Sequence, residues 1–454
     1  MKIRRTDLDF TQGSIPKKML LFSWPIFLTN LLQSSYQIID SLWVGNLIGA
    51  HALGAVALST TVIFTVLSFI IGINGATLTV LSQRKGAGDE EGLKQSLNAF
   101  VVVLGFLAVG LGLLGFVMTP WILSLLGTPE KIFPLAQTYL RINFLGIVFL
   151  FGYNFIGTVL RAVGDSRTPM FFVAMAVSLN AVLSPIMISW WELGIHGAAL
   201  STVVAQSAAF IFGLVYTIRG NKVPFKVPHK PSKRYLKPIL KLGLPGGLQM
   251  MAISGGSMAI MSVVASFGEH TVAGFGAAQR IESLVMLPAM TLGSAVTSMA
   301  GQNIGANRWE RVSSITYHAC IIILIVSLMM STIVFFSAQW LVRLFVADPD
   351  TVQFGIMYLQ TVAYFFPFLC LNFVFNGVVR ASGAMFQVLV LNLISFWALR
   401  YPLTYIFGQW LGETGIAYGI GTSLIISSLV ATLYYFFGGW KGIRIFEDEK
   451  RVSA

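Results

Sequence analysis

The sequence predicts an all-α polytopic membrane protein: twelve transmembrane helices in two parallel six-helix repeats around a central cleft. Three observations predict it. Apolar residues make up 56% of the 454 and charged residues only 11%, against roughly a quarter charged in an ordinary soluble domain. The apolar residues fall in long runs. The two halves of the chain also resemble each other at a constant shift. A soluble chain of this length could not hide so much apolar surface in its cores. That composition excludes a disulfide scaffold and intrinsic disorder. Cys320 and Cys370 both lie in apolar runs and read as buried thiols. The net charge of +12 suggests nucleic acid, but in a membrane protein cytoplasmic Lys and Arg explain it better, and no nucleic-acid partner is expected.

A transmembrane helix needs about 20 mostly apolar residues. Twelve stretches qualify: 18–44, 52–82, 96–118, 132–160, 169–191, 195–218, 239–266, 272–301, 314–337, 351–379, 386–408 and 414–438. Several exceed the bilayer thickness, so they tilt, kink or protrude. Short loops join them, apart from one long connection at 219–238. Asp7 and Asp9, followed by an apolar run too long for a signal h-region, argue against a cleavable signal.

The distribution of Lys and Arg sets the orientation. With the N-terminus inside, the cytoplasmic face holds 25: Lys2, Arg4, Arg5, Lys17 and Lys18; Arg84, Lys85 and Lys94; Arg161 and Arg167; eight from Arg219 to Lys241; Arg308 and Arg311; Arg380; and Lys441, Arg444, Lys450 and Arg451. The outer face holds two, Lys131 and Arg343, while Arg141, Arg280 and Arg400 fall inside spans. This split places both termini in the cytoplasm of a multi-pass protein of the cell membrane.

The repeat is read from five matches. Trp24-Pro25 matches Leu244-Pro245, and 52–57 matches 272–277. Gln83 to Ala87 matches Gln302 to Ala306, 159–164 matches 378–383, and Gly194-Ile195 matches Gly415-Ile416. The shift stays between 219 and 221 residues. Six spans per copy is an even number, so both copies keep one orientation and are related by an axis along the membrane normal. The organisation expected is an N-terminal bundle over 1–218, a basic cytoplasmic linker over 219–238 and a C-terminal bundle over 239–454. Two such bundles suit a transporter that rocks about a cleft.

An ionisable group inside a bilayer is a functional hypothesis by default, because a charge there costs several kcal/mol unless it neutralises, pairs or meets water. Within the apolar spans the acids are Asp40 and Glu282. Glu192, Glu269 and Glu413 at outer loops, and Asp165 and Glu310 at inner loops, read as solvated charges. Gln33, Tyr36, Gln37 and Asp40 recur at i, i+3, i+4 and i+7, one polar stripe expected to turn inward. Asp40 is the candidate for proton coupling and cation binding: burial disfavours its anion, so it can cycle a proton, and as an anion it suits a lipophilic cation. The alternative is structural, a carboxylate holding neighbouring hydroxyls. Tyr139, Asn154, Asn180, Ser184 and Thr202 complete a candidate polar network in the first half.

Glu282 is the second candidate, expected at the cleft mouth. Arg280, two residues away, does not share its helix face, and Arg400 is a possible partner. Met258, Met261, Met286 and Met290 join Glu282 as candidate cleft residues, since soft side chains adapt to varied ligands. Packing or lipid contact is the plainer reading of each. The five histidines show no metal spacing and no phosphate loop is present, so no metal and no cofactor are expected.

The chain resembles the multidrug and toxic compound extrusion (MATE) transporters across nearly its full length. The resembling pieces are Ile39-Asp40-Ser41-Leu42-Trp43-Val44-Gly45, the loop RAVGDSRTPM at 161–170, and GQNIGANRWERV at 301–312. The resemblance implies efflux of drugs or organic cations by antiport against an inward proton or sodium gradient. The sodium-coupled branch typically carries acids in helices 7 and 10; stretches 239–266 and 351–379 contain neither Asp nor Glu. Asp40 in helix 1 instead resembles the DNA-damage-inducible (DinF-like) branch. A proton is therefore the expected driving ion and sodium the lesser one. The expected partners are lipophilic cationic small molecules and the bilayer, and the expected state is a monomer. Two alternatives stay open: a lipid-carrier flippase of related architecture, which would want a cationic cleft, and a membrane-embedded enzyme, which would want clustered acids or histidines.

Overall fold

The computed structural model describes residues 8–220, 223–225 and 228–446. The expectations on Lys2, Arg4, Arg5, Asp7, Lys222, Lys226, Lys450 and Arg451 lie outside the described residues. Within them the chain is all helix, without strands, in twelve rods. These are α1 Ile15–Leu47, α2 Ala50–Gly86, α3 Glu90–Leu125, α4 Phe133–Ala162, α5 Arg167–Trp190 and α6 Gly194–Arg219 in the first repeat. The second holds α7 Lys233–Ala265, α8 Glu269–Gly305, α9 Trp309–Arg343, the broken α10 Pro349–Ala363 and Phe366–Ala381, α11 Met385–Leu411 and α12 Glu413–Phe437. Ten are long and apolar enough to cross a membrane, and α10 makes eleven if its halves count as one span. The remaining rod, α1, has 33 residues; Asn30, Gln33, Gln37 and Asp40 lower its hydropathy.

Several helices outrun the apolar stretches. α2 and α8 have 37 residues each, α3 has 36 and α9 has 35. At 1.5 Å per residue these reach more than 50 Å, well beyond a hydrocarbon core of about 30 Å. The extra turns carry charge: Arg84 and Lys85 end α2, and Glu90 and Glu91 begin α3. Apolarity stops where the hydrocarbon stops, but the helix continues until a cap or glycine ends it. Asp89 caps α3 by accepting from Gly92 N–H at 2.8 Å. Asp348 caps α10 by accepting from the Thr351 hydroxyl at 2.6 Å and its N–H at 3.0 Å. Those two bonds hold the Asp348 carboxyl below the ordinary carboxylate value.

The stretch 351–379 is not the continuous helix the sequence suggests. α10 bends by 53° between Ala363 and Phe366, where Pro367 opens the second half and cannot donate to the preceding turn. Two other spans widen into π-helical turns, Ile186–Trp190 directly after Pro185 and Ile394–Arg400 two residues before Pro402. The prolines disturb the i→i−4 ladder, and the wider turn absorbs the mismatch.

The contacts divide the chain into two compact units. One takes Trp24–Leu240 with the residues up to Asp9; the other takes Phe10–Ser23 with the chain from Lys241 onward. The division cuts α1 just before Pro25 and α7 just before Pro245, so each of these helices begins in one unit and ends in the other. In the first unit, α2 and α4 build a core around Ala55, Ile70, Leu140, Phe144, Ile147 and Phe151. In the second, Phe275 on α8, Tyr358 and Phe366 on α10, and Ile416 and Leu424 on α12 share a core with α7 and α9.

Small residues bring helices together in both units, as membrane packing requires. One close approach is α8 to α10. A Cβ on Gly377 would lie 2.7 Å from the Gly293 carbonyl oxygen. The Thr297 hydroxyl donates to the Gly377 carbonyl at 3.0 Å across the same junction. Gly377→Leu is therefore expected to destabilise the protein by about 1–3 kcal/mol, the usual range for overpacking. Gly276→Ala, where an added methyl meets nothing within 4 Å, should leave the detergent melting temperature unchanged. Equal melting temperatures for the two variants would show that this junction does not limit stability.

Candidate functional site

The polar stripe of α1 needs one correction. Asp40 is buried, 5% exposed, while Gln33 and Tyr36 are half-buried and Gln37 is exposed. At 100° per residue, Gln37 sits about 60° round the helix from Asp40, on the side away from Tyr36. The four residues therefore do not share one environment: Asp40 is buried, Gln33 and Tyr36 are half-buried, and Gln37 is exposed.

Around Asp40 the first unit assembles a small network. The Tyr139 hydroxyl on α4 donates to Asp40 Oδ2 at 3.3 Å. Asp40 Oδ1 is buried without a hydrogen-bond partner among the described residues. Thr202 on α6 lies near the Tyr36 and Tyr139 hydroxyls without a hydrogen bond to either, and the Tyr36 hydroxyl is buried without a partner among the described residues. Asn180 on α5 donates to Thr202 Oγ1 and to Ser201 Oγ, each at 3.4 Å, and Ser184 shares a 2.8 Å hydrogen bond with Ser201. α1, α4, α5 and α6 thus each contribute polar groups to one network. Asn154 contributes less than its place suggests: its amide donates to the Leu150 carbonyl of its own helix at 2.8 Å.

Two members are not evident from sequence. Ser201 links Asn180 to Ser184, and Tyr153 on α4 interacts with Gln33 and Asn154. Ser201 precedes Thr202 in a helix of alanines and glycine, where a hydroxyl pair is the available signal. Tyr153 has none, because a tyrosine beside Asn154 in an aromatic helix is not distinctive.

Glu282 is not fully solvated. It is half-buried, accepts a hydrogen bond from the Tyr358 hydroxyl at 3.2 Å and interacts electrostatically with Arg400. Arg280 turns elsewhere, exposed, with its guanidinium 5.5 Å from the Phe345 ring centre. Of the methionines, Met258 is 73% and Met290 45% exposed, Met286 is half-buried, and Met261 packs on the second unit's core. Among the described residues no group of His, Cys, Asp or Glu could hold a metal ion.

The loop motifs turn out to be structural. In 161–170, Gly164 adopts φ 97° and accepts from Leu8 N–H at 3.2 Å. Asp165, read as a solvated charge, is buried; it accepts from Thr168 N–H at 3.0 Å and from its hydroxyl at 2.6 Å, at the start of α5. In 301–312, Gln302 accepts from Phe10 N–H at 3.3 Å, and Asn303 and Arg311 donate to the Phe10 carbonyl at 3.1 and 3.2 Å. Arg308 donates to the Thr11 carbonyl at 2.5 Å. The polar residues of this motif tie down the segment before α1.

These features can be set beside known proteins. The MatE family model matches residues 25–186 and 245–406, once in each repeat. The chain belongs to the MATE family. It is 55% identical over 441 residues to the probable multidrug resistance protein YpnP of Bacillus subtilis, covering 97% of this chain and 99% of that one. It is 25% identical to the multidrug export protein MepA of Staphylococcus aureus, over 94% of this chain and 95% of the other. Among solved structures, an outward-facing MATE transporter of the MOP superfamily matches with a TM-score of 0.90 at 24% identity, covering 96% of this chain and 98% of that one. These relatives are transporters and not enzymes, which removes the membrane-enzyme alternative. Within this MATE protein, Tyr139 supplies the one hydrogen bond that Asp40 receives among the described residues. A hydrogen bond to a charged group is worth about 1.5–3 kcal/mol. If Asp40 holds a cationic substrate, Tyr139→Phe should weaken binding of a cationic dye by at least tenfold; titration of the purified variant checks this, and an unchanged Kd would remove Tyr139 from such a site.

Proposed function

We propose that this protein is a proton-driven multidrug antiporter that exports lipophilic cations, with Asp40 carrying the proton and the cation in turn. The observation that supports it is the state of the Asp40 carboxyl. It is buried in an apolar span, its Oδ1 has no partner among the described residues, and its one bond comes from a neutral hydroxyl. No ion pair joins it to a Lys or Arg among the described residues. A carboxylate so placed is stable only with a proton or a cation beside it. Exchange of the two is then the chemistry of antiport. From the outside a proton would enter and release the cation; towards the cytoplasm the proton would leave and a new cation would bind. Alternating access by the two repeats would let each step face one side only.

The relatives named for multidrug resistance and multidrug export support the substrate class. The flippase alternative would want cationic groups gathered for an anionic headgroup. Each of the three arginines within spans instead lies beside an aromatic ring of its own: Arg141 5.2 Å from the Phe116 ring centre, Arg280 5.5 Å from Phe345 and Arg400 4.1 Å from Phe396. Sodium is disfavoured because the apolar stretches 239–266 and 351–379, in α7 and α10, offer it no carboxylate. We further propose a monomer in the cell membrane with both termini cytoplasmic, in keeping with the Lys and Arg distribution.

Asp40→Asn keeps the shape but cannot cycle a proton. It should abolish dye efflux from proteoliposomes under an imposed proton gradient while the protein stays folded; full activity would sink the assignment. Proton and dye should also compete. Below the pH at which Asp40 takes up its proton the carboxyl is neutral and the dye is lost, so dye binding should weaken as pH falls and recover as it rises, with or without sodium. If sodium alone displaced the dye, and pH had no effect, the coupling ion would be wrong.

A further inference from the structure

The repeat shift superposes side chains as well as loops. Tyr139 falls on Tyr358, Asn180 on Arg400 and Thr202 on Ser423, at shifts of 219, 220 and 221 residues. The contacts repeat too. Asn180 Nδ2 donates to Thr202 at 3.4 Å, and Arg400 Nε donates to Ser423 at 3.3 Å. Tyr139 donates to Asp40, and Tyr358 donates to Glu282. The second unit therefore holds its own version of the first unit's polar site, with a guanidinium where the first has a neutral amide. The acid also comes from a different helix, α8 rather than the counterpart of α1.

Arg400 sits at the end of the π-helical turn Ile394–Arg400, a feature that frequently marks functional sites. Its face lies on Phe396 and its Nε is taken by Ser423. Among the described residues, neither Nη has a protein acceptor within hydrogen-bond distance. Glu282 acts on Arg400 electrostatically but forms no ion pair with it within 4 Å.

We propose that Glu282 and Arg400 form a proton-linked binding site for a monovalent anion, a halide or a carboxylate, in the C-terminal unit. With Glu282 ionised the pair is neutral and needs no ligand. Once Glu282 takes a proton, the guanidinium stands uncompensated in an apolar span, which is strongly unfavourable. An anion restores neutrality and accepts from the free Nη groups, and a carboxylate does so with two parallel hydrogen bonds. Proton and anion then enter together, each raising the affinity for the other by the same factor. The neighbours leave the switch to this pair. On α10 the titratable groups are Asp350, exposed at its start, Tyr358, which bonds Glu282, Tyr364, exposed in the break, Cys370, buried in the core, and Arg380, half-buried in its last turn. α9 brings Glu310, exposed, and Arg311, which bonds Phe10 and Gly13, in its first turn, then Tyr317, exposed, His318, bonded to its own helix at Ser314, Cys320, and Arg343, exposed at the helix end. On α12, Glu413 is engaged by His270 and Thr271 at the start of α8. Of all these, Tyr358 and Arg400 are the groups that act on Glu282.

The test uses the full-length purified protein in nanodiscs, titrated calorimetrically with sodium benzoate and with sodium chloride at about pH 5.5 and pH 8, on either side of neutrality. Binding of at least one probe at the lower pH, at least tenfold weaker at the higher, is expected; the two probes tell carboxylate from halide. Glu282→Gln should bind with equal affinity at both pH values. Arg400→Asn, which copies the first repeat, should bind neither probe. Circular dichroism and a monodisperse elution peak establish folding. If Arg400→Asn does not fold, Glu282→Gln decides alone: retained binding without pH dependence supports the site, and retained pH dependence overturns it. Failure of wild type and Glu282→Gln to bind either probe at the lower pH, or binding by folded Arg400→Asn, also overturns it.

Discussion

An incompletely satisfied carboxyl in an apolar span is the constraint around which the first unit is built. Asp40 receives one hydrogen bond, from Tyr139, and keeps Oδ1 unpartnered among the described residues. A purely structural acid would be expected to gain more. Asp165 shows what that looks like: also buried, it accepts three hydrogen bonds from the first turn of α5. Both acids lie beneath the surface of one protein, and the difference between them is the number of donors. The fully bonded acid fixes a loop; the underbonded one retains capacity for a proton or a cation. Its supporting hydroxyls and amide, spread over α4, α5 and α6, hold the pocket polar without neutralising it.

The duplication explains how two units with one fold come to hold different chemistry. Tyrosine, polar residue and hydroxyl recur at matching places in α4, α5 and α6 and in α10, α11 and α12, because those helices pack alike in each repeat. The acids do not recur: Ile260 stands at the place of Asp40, and Val62 at the place of Glu282. Each copy has kept the scaffold of the site and moved its charge. In the second copy Arg400 replaces the amide, so the acid there meets a tethered cation, whereas Asp40 meets none among the described residues. The π-helical turns follow the same logic, since both occur in corresponding helices beside a proline.

Much of this is legible in the sequence, and the reasons are physical. Span number and the two acids within spans follow from hydropathy and the scarcity of intramembrane charge, and the family from three short motifs. Helix ends are not legible from apolarity alone, because α3 and α9 continue past the hydrocarbon on charged turns. The break in α10 is signalled by Pro367, but a proline near a helix middle permits a kink without requiring one. Partners are the least legible. Tyr139 can be named because few polar residues populate the spans, but its bond to Asp40 depends on how α1 and α4 approach. Gln37 departs from the pattern because a stripe at i, i+3, i+4 and i+7 is wider than the contact it makes.

The motifs that carry the family resemblance prove to be mostly scaffold. Gln302, Asn303, Arg308 and Arg311 hold the Phe10–Gly13 segment, and Asp165 with Gly164 shapes the turn into α5. These motifs sit where backbone geometry is demanding, and a left-handed glycine or a buried cap tolerates few replacements. A cleft for varied substrates makes the opposite demand, adaptable apolar contacts and few directed bonds. The chemistry therefore has to be read from the exceptions: the acid without enough donors in one unit, and the guanidinium with open donors in the other.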